Sequence, residues 1–288
     1  MQRQKMILFN YGQIDEPYFD GEKGTAAVPK SIQALIQDRV YRIDDVGLSD
    51  SSVICFEDMV LKIEKEGKEA ECEYKTMKWL EGKLTVPKIL CFEKQKGVHY
   101  LLMSRIDGAM ACAEEHMEDP KELVRMLAEG LKLLWSVDTT GCPGWNGLEQ
   151  KLQLAEQRVE AGLCDMESVQ EGTYGEGGFE NPAALLAWLK KNRPKEDPVF
   201  SHGDYCLPNV FLKGGKVSGF LDLGRSGIAD KYQDIALCYR SLRDNYSGKY
   251  GNDRYAGLDF KPESLFDALG MEPDWEKVKY YILLGELF

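Results

Sequence analysis

The most constraining feature of the chain is the stretch "FSHGDYCLPNVFLKGGKVSGFLDLGRSG" at residues 200–227. Two short runs, 210–212 and 217–221, alternate as half-buried strands do. Gly214-Gly215 between them readily takes positive φ at both central positions of a type I′ turn. A hairpin centred on that dipeptide puts Asn209 opposite Phe220, with Asp222 two residues further along the partner strand. Asn209 and Asp222 are then diagonal neighbours on one face, roughly 7–8 Å apart at the backbone. Both offer hard oxygen donors, which suit Mg²⁺ better than zinc. Asp204 lies five residues before Asn209, in the loop that feeds the first strand.

Each piece alone is weak, because a His-Gly-Asp tripeptide is most often a turn and a Gly-Gly hairpin only a hairpin. Their conjunction is the arrangement of phosphoryl-transfer sites: H-x-D-x-x-x-x-N, a hairpin, then a metal-binding Asp. Asp204 is the candidate catalytic group, and Asn209 and Asp222 are the candidate metal ligands. Such chemistry also needs a cation for the phosphates. Lys62, at the end of "MVLKI", fits that place, with a carboxylate on the following helix to hold it. Among Glu69, Glu71 and Glu73, only Glu73 shares a helix stripe with Met77 and Leu80 and so points inward. The loop "VGLSDSS" offers backbone amides and hydroxyls for covering phosphates. It is not G-x-G-x-x-G, and a Walker A motif occurs nowhere.

The 288 residues suit one large domain or two lobes. A net charge of −12 argues against nucleic acid and anionic membranes as partners and would attract a cationic one. Cys55, Cys72, Cys91, Cys112, Cys142, Cys164, Cys206 and Cys238 form no C-x-x-C pair. With no secretory h-region, they read as reduced thiols in the cytoplasm. No run approaches the ~20 apolar residues of a membrane span.

Along the chain, residues 1 to about 30 read as an irregular arm. A short helix then runs into a strand, a hairpin turns at Glu57-Asp58, and a helix ends near Gly82. Two more strands turn at Lys96-Gly97. Beyond Asp107-Gly108 the pattern becomes helical. Leu123, Met126, Leu127, Leu131 and Leu134 stand at helical spacing behind Pro120, and Asn181-Pro182 opens another helix. This predicts a two-lobed α+β fold: residues 1–107 a mostly antiparallel, nucleotide-binding lobe with its hinge, and 108–288 a helical lobe carrying the catalytic loop and acceptor site. The ligand cleft is expected between them.

With these residues in view, the sequence resembles the aminoglycoside 3′-phosphotransferases, antibiotic-resistance kinases of protein-kinase-like fold. The segment from Phe200 to Asn245 and the ending "PDWEKVKYYILLGELF" carry the likeness most closely, with "WLEGKLTVPKILCFE" and "LLMSRIDG" extending it towards the N-terminus. The resemblance implies ATP- or GTP-dependent, Mg²⁺-assisted transfer to a hydroxyl, the 3′-hydroxyl, of a cationic aminoglycoside. It implies that Asp204 acts on that hydroxyl, that Asn209 and Asp222 hold Mg²⁺, and that Lys62, partnered by Glu73, binds phosphates. Ser49 would contact the triphosphate, and the backbone of Ser104 and Ile106 would take the adenine edge. Arg225 would lie beside the metal site. Glu171, Glu286 and the terminal carboxylate of Phe288 would meet the ammonium groups of the acceptor.

Two departures stand out. Val60 occupies a position where such enzymes commonly stack an aromatic ring on the adenine, and Gly285 stands where they often carry Asp. The competing enzymatic reading is a related kinase for another amino-sugar, choline or a macrolide. A protein kinase would show an A-P-E segment after Asp222, and none follows.

Overall fold

The computed structural model describes residues 28–44, 51–166, 169–250 and 253–288. Helix α1 (Lys30–Ile36) buries Ile32 and Ile36, one turn apart, and leads to strand β1 (Arg42–Asp44). Strands β2 (Ser52–Cys55) and β3 (Met59–Lys65) form the first hairpin. Helix α2 (Lys68–Leu80) follows, then β4 (Ile89–Gln95) and β5 (Val98–Ser104). Lys96 and Gly97 between them take φ values of 54° and 74°, the doubly positive turn that suits a twisted hairpin. The five strands pair antiparallel in the order β1-β2-β3-β5-β4. Lys62 therefore sits on the central strand, opposite Leu101 of β5. Ile54, Leu61, Tyr100 and Leu102 seal one face of this sheet against α1, all at 1% exposure or less.

Past the hinge, the chain does not enter helix at once. A two-residue strand, β6 (Ala109–Met110), pairs with the later hairpin before the short α3 (Glu114–Met117) begins. Helix α4 (Pro120–Trp135) is capped by the Asp119 carboxylate, which accepts from the Glu122 amide, and Pro120 fills the first turn. Its expected stripe of Leu123, Met126, Leu127, Leu131 and Leu134 is buried, each side chain contributing about 1.5–3 kcal/mol. Helix α5 (Leu148–Glu160) was not expected from the sequence, although Leu148, Leu152 and Ala155 bury one face of it. Helix α6 (Pro182–Lys191) is capped by Asn181. Strand β7 (Pro198–Ser201) precedes the hairpin of β8 (Val210–Lys213) and β9 (Lys216–Phe220). Strand β10 (Gly227–Asp230) returns to pair with β7, and helices α7 (Lys231–Tyr246), α8 (Asp253–Ala256), α9 (Ser264–Leu269) and α10 (Trp275–Gly285) complete the chain. The result is a two-lobed α+β architecture.

The hairpin corrects the expected register. Lys213 pairs with Lys216 and Leu212 with Val217, as a Gly214-Gly215 turn requires. Phe211 then pairs with Gly219, leaving Ser218 as an extra residue on β9. The bulge is fixed by the Ser218 hydroxyl, which donates to the Asp107 carbonyl at 2.6 Å. Beyond it, the Leu221 amide donates to the Asn209 carbonyl at 2.9 Å, so Asn209 lies opposite Leu221 and not Phe220. Gly219 admits no side chain, since a Cβ there would stand 2.7 Å from the Ile106 side chain. That contact clamps the hinge to the hairpin.

Candidate active site

The candidate nucleotide side of the site is built on β3 and α2. Glu73 is buried at 3% exposure on the inner face of α2, and its carboxylate accepts from the Lys62 ammonium at 2.7 Å. Glu69 and Glu71 lie on exposed faces, paired with Arg225 and Lys75 respectively. Lys62 also stands 3.5 Å from Asp222 and 3.7 Å from Glu64. Burial alone would lower the lysine pKa, but Glu73, Asp222 and Glu64 together hold it well above its ordinary value. The ammonium stays charged, as phosphate binding requires.

The chemical side is the segment from His202 to Asn209. The Asn209 side-chain amide donates to the Asp204 carbonyl at 2.9 Å and to the Asp204 carboxylate at 3.2 Å. With its nitrogen so engaged, Asn209 has its Oδ1 left as an acceptor. Asp222 is reached through backbone geometry the strand pattern does not show. It adopts a left-handed conformation, φ 56° and ψ 61°, which turns it out of the β9 direction and towards Lys62. The bulge and this turn together, rather than simple alternation along a strand, bring Asn209 and Asp222 to one end of the hairpin. One amide oxygen and one carboxylate form an incomplete cage. That suits Mg²⁺, which keeps several waters and is bound through one or two carboxylates plus substrate phosphates. Among the described residues there is no cluster of three His, Cys, Asp or Glu side chains able to hold a metal without other ligands.

Sequence reasoning missed what holds this loop. Asp234 on α7 is fully buried, and its carboxylate accepts from the amides of His202 at 2.7 Å and Gly203 at 2.9 Å. Ser241, two turns further along α7, accepts from the Leu207 amide at 3.1 Å. Tyr205 donates to the Leu127 carbonyl of α4, where Gly130 leaves room for its hydroxyl. Gly203 sits at φ 82°, and a Cβ there would lie 1.8 Å from the Arg225 carbonyl oxygen. Only glycine allows the catalytic loop to approach the Asp222–Arg225 turn this closely. The run "DIALCYRSLRDNY" reads as a helix, but nothing local marks its first Asp as the anchor of a loop more than thirty positions earlier.

The remaining expected residues divide. Ser49 lies outside the described residues. The Ser104 amide donates to the Lys88 carbonyl at 2.9 Å, whereas the Ile106 amide donates to no acceptor among the described residues. Val60 is half-buried opposite Met103 on β5. Arg225 contacts Glu69 at 3.1 Å, tying α2 to the turn beyond the hairpin. Glu171 is exposed. Glu286, in contrast, is not a free carboxylate: it is buried and accepts from the Gln170 amide at 2.8 Å and from Arg240 at 3.5 Å. The Phe288 main-chain oxygen is also engaged, by Arg158 at 3.0 Å, and Arg158 holds the Leu287 carbonyl at 2.8 Å. A side chain at Gly285 would begin 3.5 Å from the Arg240 guanidinium, so an Asp there would face that cation.

Cys206 donates towards the Asp204 carboxylate at 3.6 Å, and burial followed by the Asp204 charge pushes its thiol well above the ordinary range. A neutral, half-buried thiol is no nucleophile. Cys206→Ser is expected to keep kcat within about fivefold of wild type; a thousandfold loss in steady-state assays would reinstate thiol chemistry.

Fold and site define a kinase-like phosphotransferase. Residues 32–279 match the family model described as "Phosphotransferase enzyme family". An aminoglycoside 3′-phosphotransferase of Enterococcus faecalis is 44% identical over 222 residues, 76% of this chain and 79% of that protein. The crystal structure of an aminoglycoside 3′-phosphotransferase of type VIII superposes with a TM-score of 0.73 at 26% identity, covering 90% of this chain and 97% of that one. An aminoglycoside phosphotransferase of Streptomyces rimosus, solved with ADP and streptomycin, shares the fold at a TM-score of 0.72 and 22% identity, covering 89% and 95%. The chain belongs to the phosphotransferase enzyme family and, within it, to the aminoglycoside 3′-phosphotransferases. Among the described residues no helix is long and apolar enough to cross a membrane.

Proposed function

We propose that this enzyme transfers the γ-phosphoryl group of ATP to a hydroxyl, the 3′-hydroxyl, of aminoglycoside antibiotics, and so confers resistance. The observation that carries the reading is the convergence of Lys62, Glu73 and Asp222 at one end of the cleft with Asp204 and Asn209. The Ser104 carbonyl and Ile106 amide would hold the adenine edge, and Lys62 the phosphates. Asn209 Oδ1 and Asp222 would hold Mg²⁺, which when bound offsets the charge on the phosphate oxygens. Asp204 accepts the hydroxyl proton or orients its oxygen towards the phosphorus. The lobes would divide at the hinge, residues 1–107 binding nucleotide and 108–288 the acceptor.

An aminoglycoside is a polycation, and the chain's net charge of −12 favours its approach. Because Glu286 is committed to Gln170 and Arg240, its part is to dock the loop of Glu171 onto the tail, leaving Glu171 as the exposed anion and the Phe288 carboxylate as a half-buried one already met on one oxygen by Arg158. Each such contact would contribute roughly 0.5–1 kcal/mol and weaken with salt. A coupled ADP-release assay over a panel of aminoglycosides, choline and macrolides tests the substrate class; turnover with choline or a macrolide alone would reject it. In the same assay, a C-terminal extension is expected to raise aminoglycoside KM several-fold and leave KM for ATP unchanged. Indifference of aminoglycoside KM to both the tail and salt would show that the acceptor is held otherwise.

A further inference from the structure

Helix α5 carries a cation that the site described above does not use. Its start is stitched to the turn beyond the hairpin. The Asn146 side chain donates to the Arg225 and Ser226 carbonyls at 2.7 and 2.9 Å, and the Ile228 amide donates to Gly144 at 3.0 Å. Lys151, one turn into the helix, is thereby held on the side of the Arg225 turn, against which the His202–Asn209 loop packs at Gly203. Leu154 and Arg158 continue the same face and line, with Arg225, Glu69 and Phe288, a cavity of about 290 Å³. The Lys151 ammonium lies 5.6 Å from the centre of the Phe288 ring and within electrostatic reach of Arg225, Asp234, Asp204 and Glu69. It forms neither an ion pair nor a side-chain hydrogen bond among the described residues, although the side chain is only partly exposed.

An unpaired ammonium here is unfavourable on two counts. It is partly desolvated, and an acceptor rich in ammonium groups would be repelled by it. Asp234, Asp204 and Glu69 offset that charge only in part, and an anion arriving with the reaction would complete the balance. We propose that Lys151 is a catalytic residue that contacts the phosphoryl group in transfer, supplying from α5 a positive charge next to Asp204. This rests on the phosphotransferase reading of the site. In the step, the acceptor oxygen forms a bond to Pγ while the bond from Pγ to the bridging oxygen breaks and ADP leaves. The hydroxyl proton passes to Asp204. Charge on the three peripheral oxygens of the phosphoryl group is what Lys151 stabilises, an interaction stronger in the transition state than in the bound substrates.

Burial, reinforced by Arg225 and opposed by Asp234, Asp204 and Glu69, pushes the Lys151 pKa down to about 8. The ammonium is present below that pH and lost as pH rises through it, so kcat should fall on the alkaline side. Lys151→Arg keeps the charge and should move that fall to higher pH while retaining kcat within about fivefold at pH 7. Lys151→Met should lower kcat about a hundredfold, with KM for ATP and aminoglycoside changed less than threefold. ATP titration calorimetry and a melting curve on each variant show that the fold and nucleotide site persist. The proposal is overturned if Lys151→Met keeps kcat within threefold, if only the acceptor KM changes, or if a folded Lys151→Arg is as inactive as Lys151→Met. Acceptor-free ATP hydrolysis, measured in parallel, separates the two readings. Hydrolysis that depends on Lys151 in an enzyme that phosphorylates no aminoglycoside would reject the substrate class while upholding the lysine.

Discussion

Asp204→Ala is expected to lower kcat by a hundredfold to ten-thousandfold while leaving ATP affinity within about twofold, the range of a lost general base. The structure explains why the effect should be confined to chemistry. Asn209 would lose its contact with the Asp204 carboxylate but keep its hydrogen bond to the Asp204 carbonyl, so the loop retains its tie. Among the described residues no hydrogen bond or ion pair joins Asp204 to Lys62 or Glu73, which would hold the nucleotide. Asp204→Asn is the sharper variant, since it preserves shape and removes the proton acceptor. Single-turnover rates with calorimetric ATP binding test both. More than about a tenth of wild-type kcat in either, a barrier change under roughly 1.4 kcal/mol, would take Asp204 out of the reaction.

Asp234→Ala should cost both stability and turnover, although Asp234 would touch no substrate. Its carboxylate is the acceptor for the His202 and Gly203 amides in a site with no water-exposed surface. Removing it leaves the buried His202 amide unpaired and the Gly203 amide with only its longer contact to the Ser201 hydroxyl at 3.2 Å, so a loss of roughly 1–3 kcal/mol or somewhat more is expected. The released loop would also carry Asp204 out of position, and even small displacements of reacting groups are costly. Denaturant unfolding and kcat should fall together, with Asp234→Asn recovering part of both because its remaining oxygen still accepts one bond. A variant that unfolds at the wild-type denaturant concentration and turns over normally would show that the loop is held by Ser241 and Tyr205 alone.

These two residues mark the limit of what could be read from the chain. Asp204 was legible because the spacing to Asn209 and the Gly-Gly hairpin lie within a few residues of each other. The Lys62–Glu73 pair was legible because the chemistry asks for a cation at the end of the "MVLKI" strand and the helix stripe of Met77 and Leu80 singles out Glu73 as its inward-facing partner. Asp234 was not, because an Asp in the first turn of a helix is usually a solvated, dipole-compensating residue. Its burial depends on where β7 and the catalytic loop cross α7. Glu286 misled for the mirror reason. A carboxylate near the chain end looks available, yet Arg240 of α7 and the loop at Gln170 converge on it. Helix α5 itself was passed over because its polar positions outnumber the apolar ones that bury its inner face.

The sequence by itself determined the strands and helix α2 of the N-terminal half, helices α4 and α6, the Gly214-Gly215 hairpin and the class of chemistry. Side-chain alternation, caps such as Asp119 and Asn181, and the Gly214-Gly215 turn are settled by interactions between residues only a few positions apart. The tertiary structure alone decided the register beyond Ser218, the left-handed Asp222, the anchoring of the His202–Asn209 loop by Asp234, and the seating of α5, with Lys151, against the Arg225 turn. A bulge forms because Asp107 offers Ser218 an acceptor from another part of the chain. A buried carboxylate is tolerated because two distant amides arrive to meet it. Such choices are set by groups that become neighbours only on folding, so the local pattern of residues carries no trace of them.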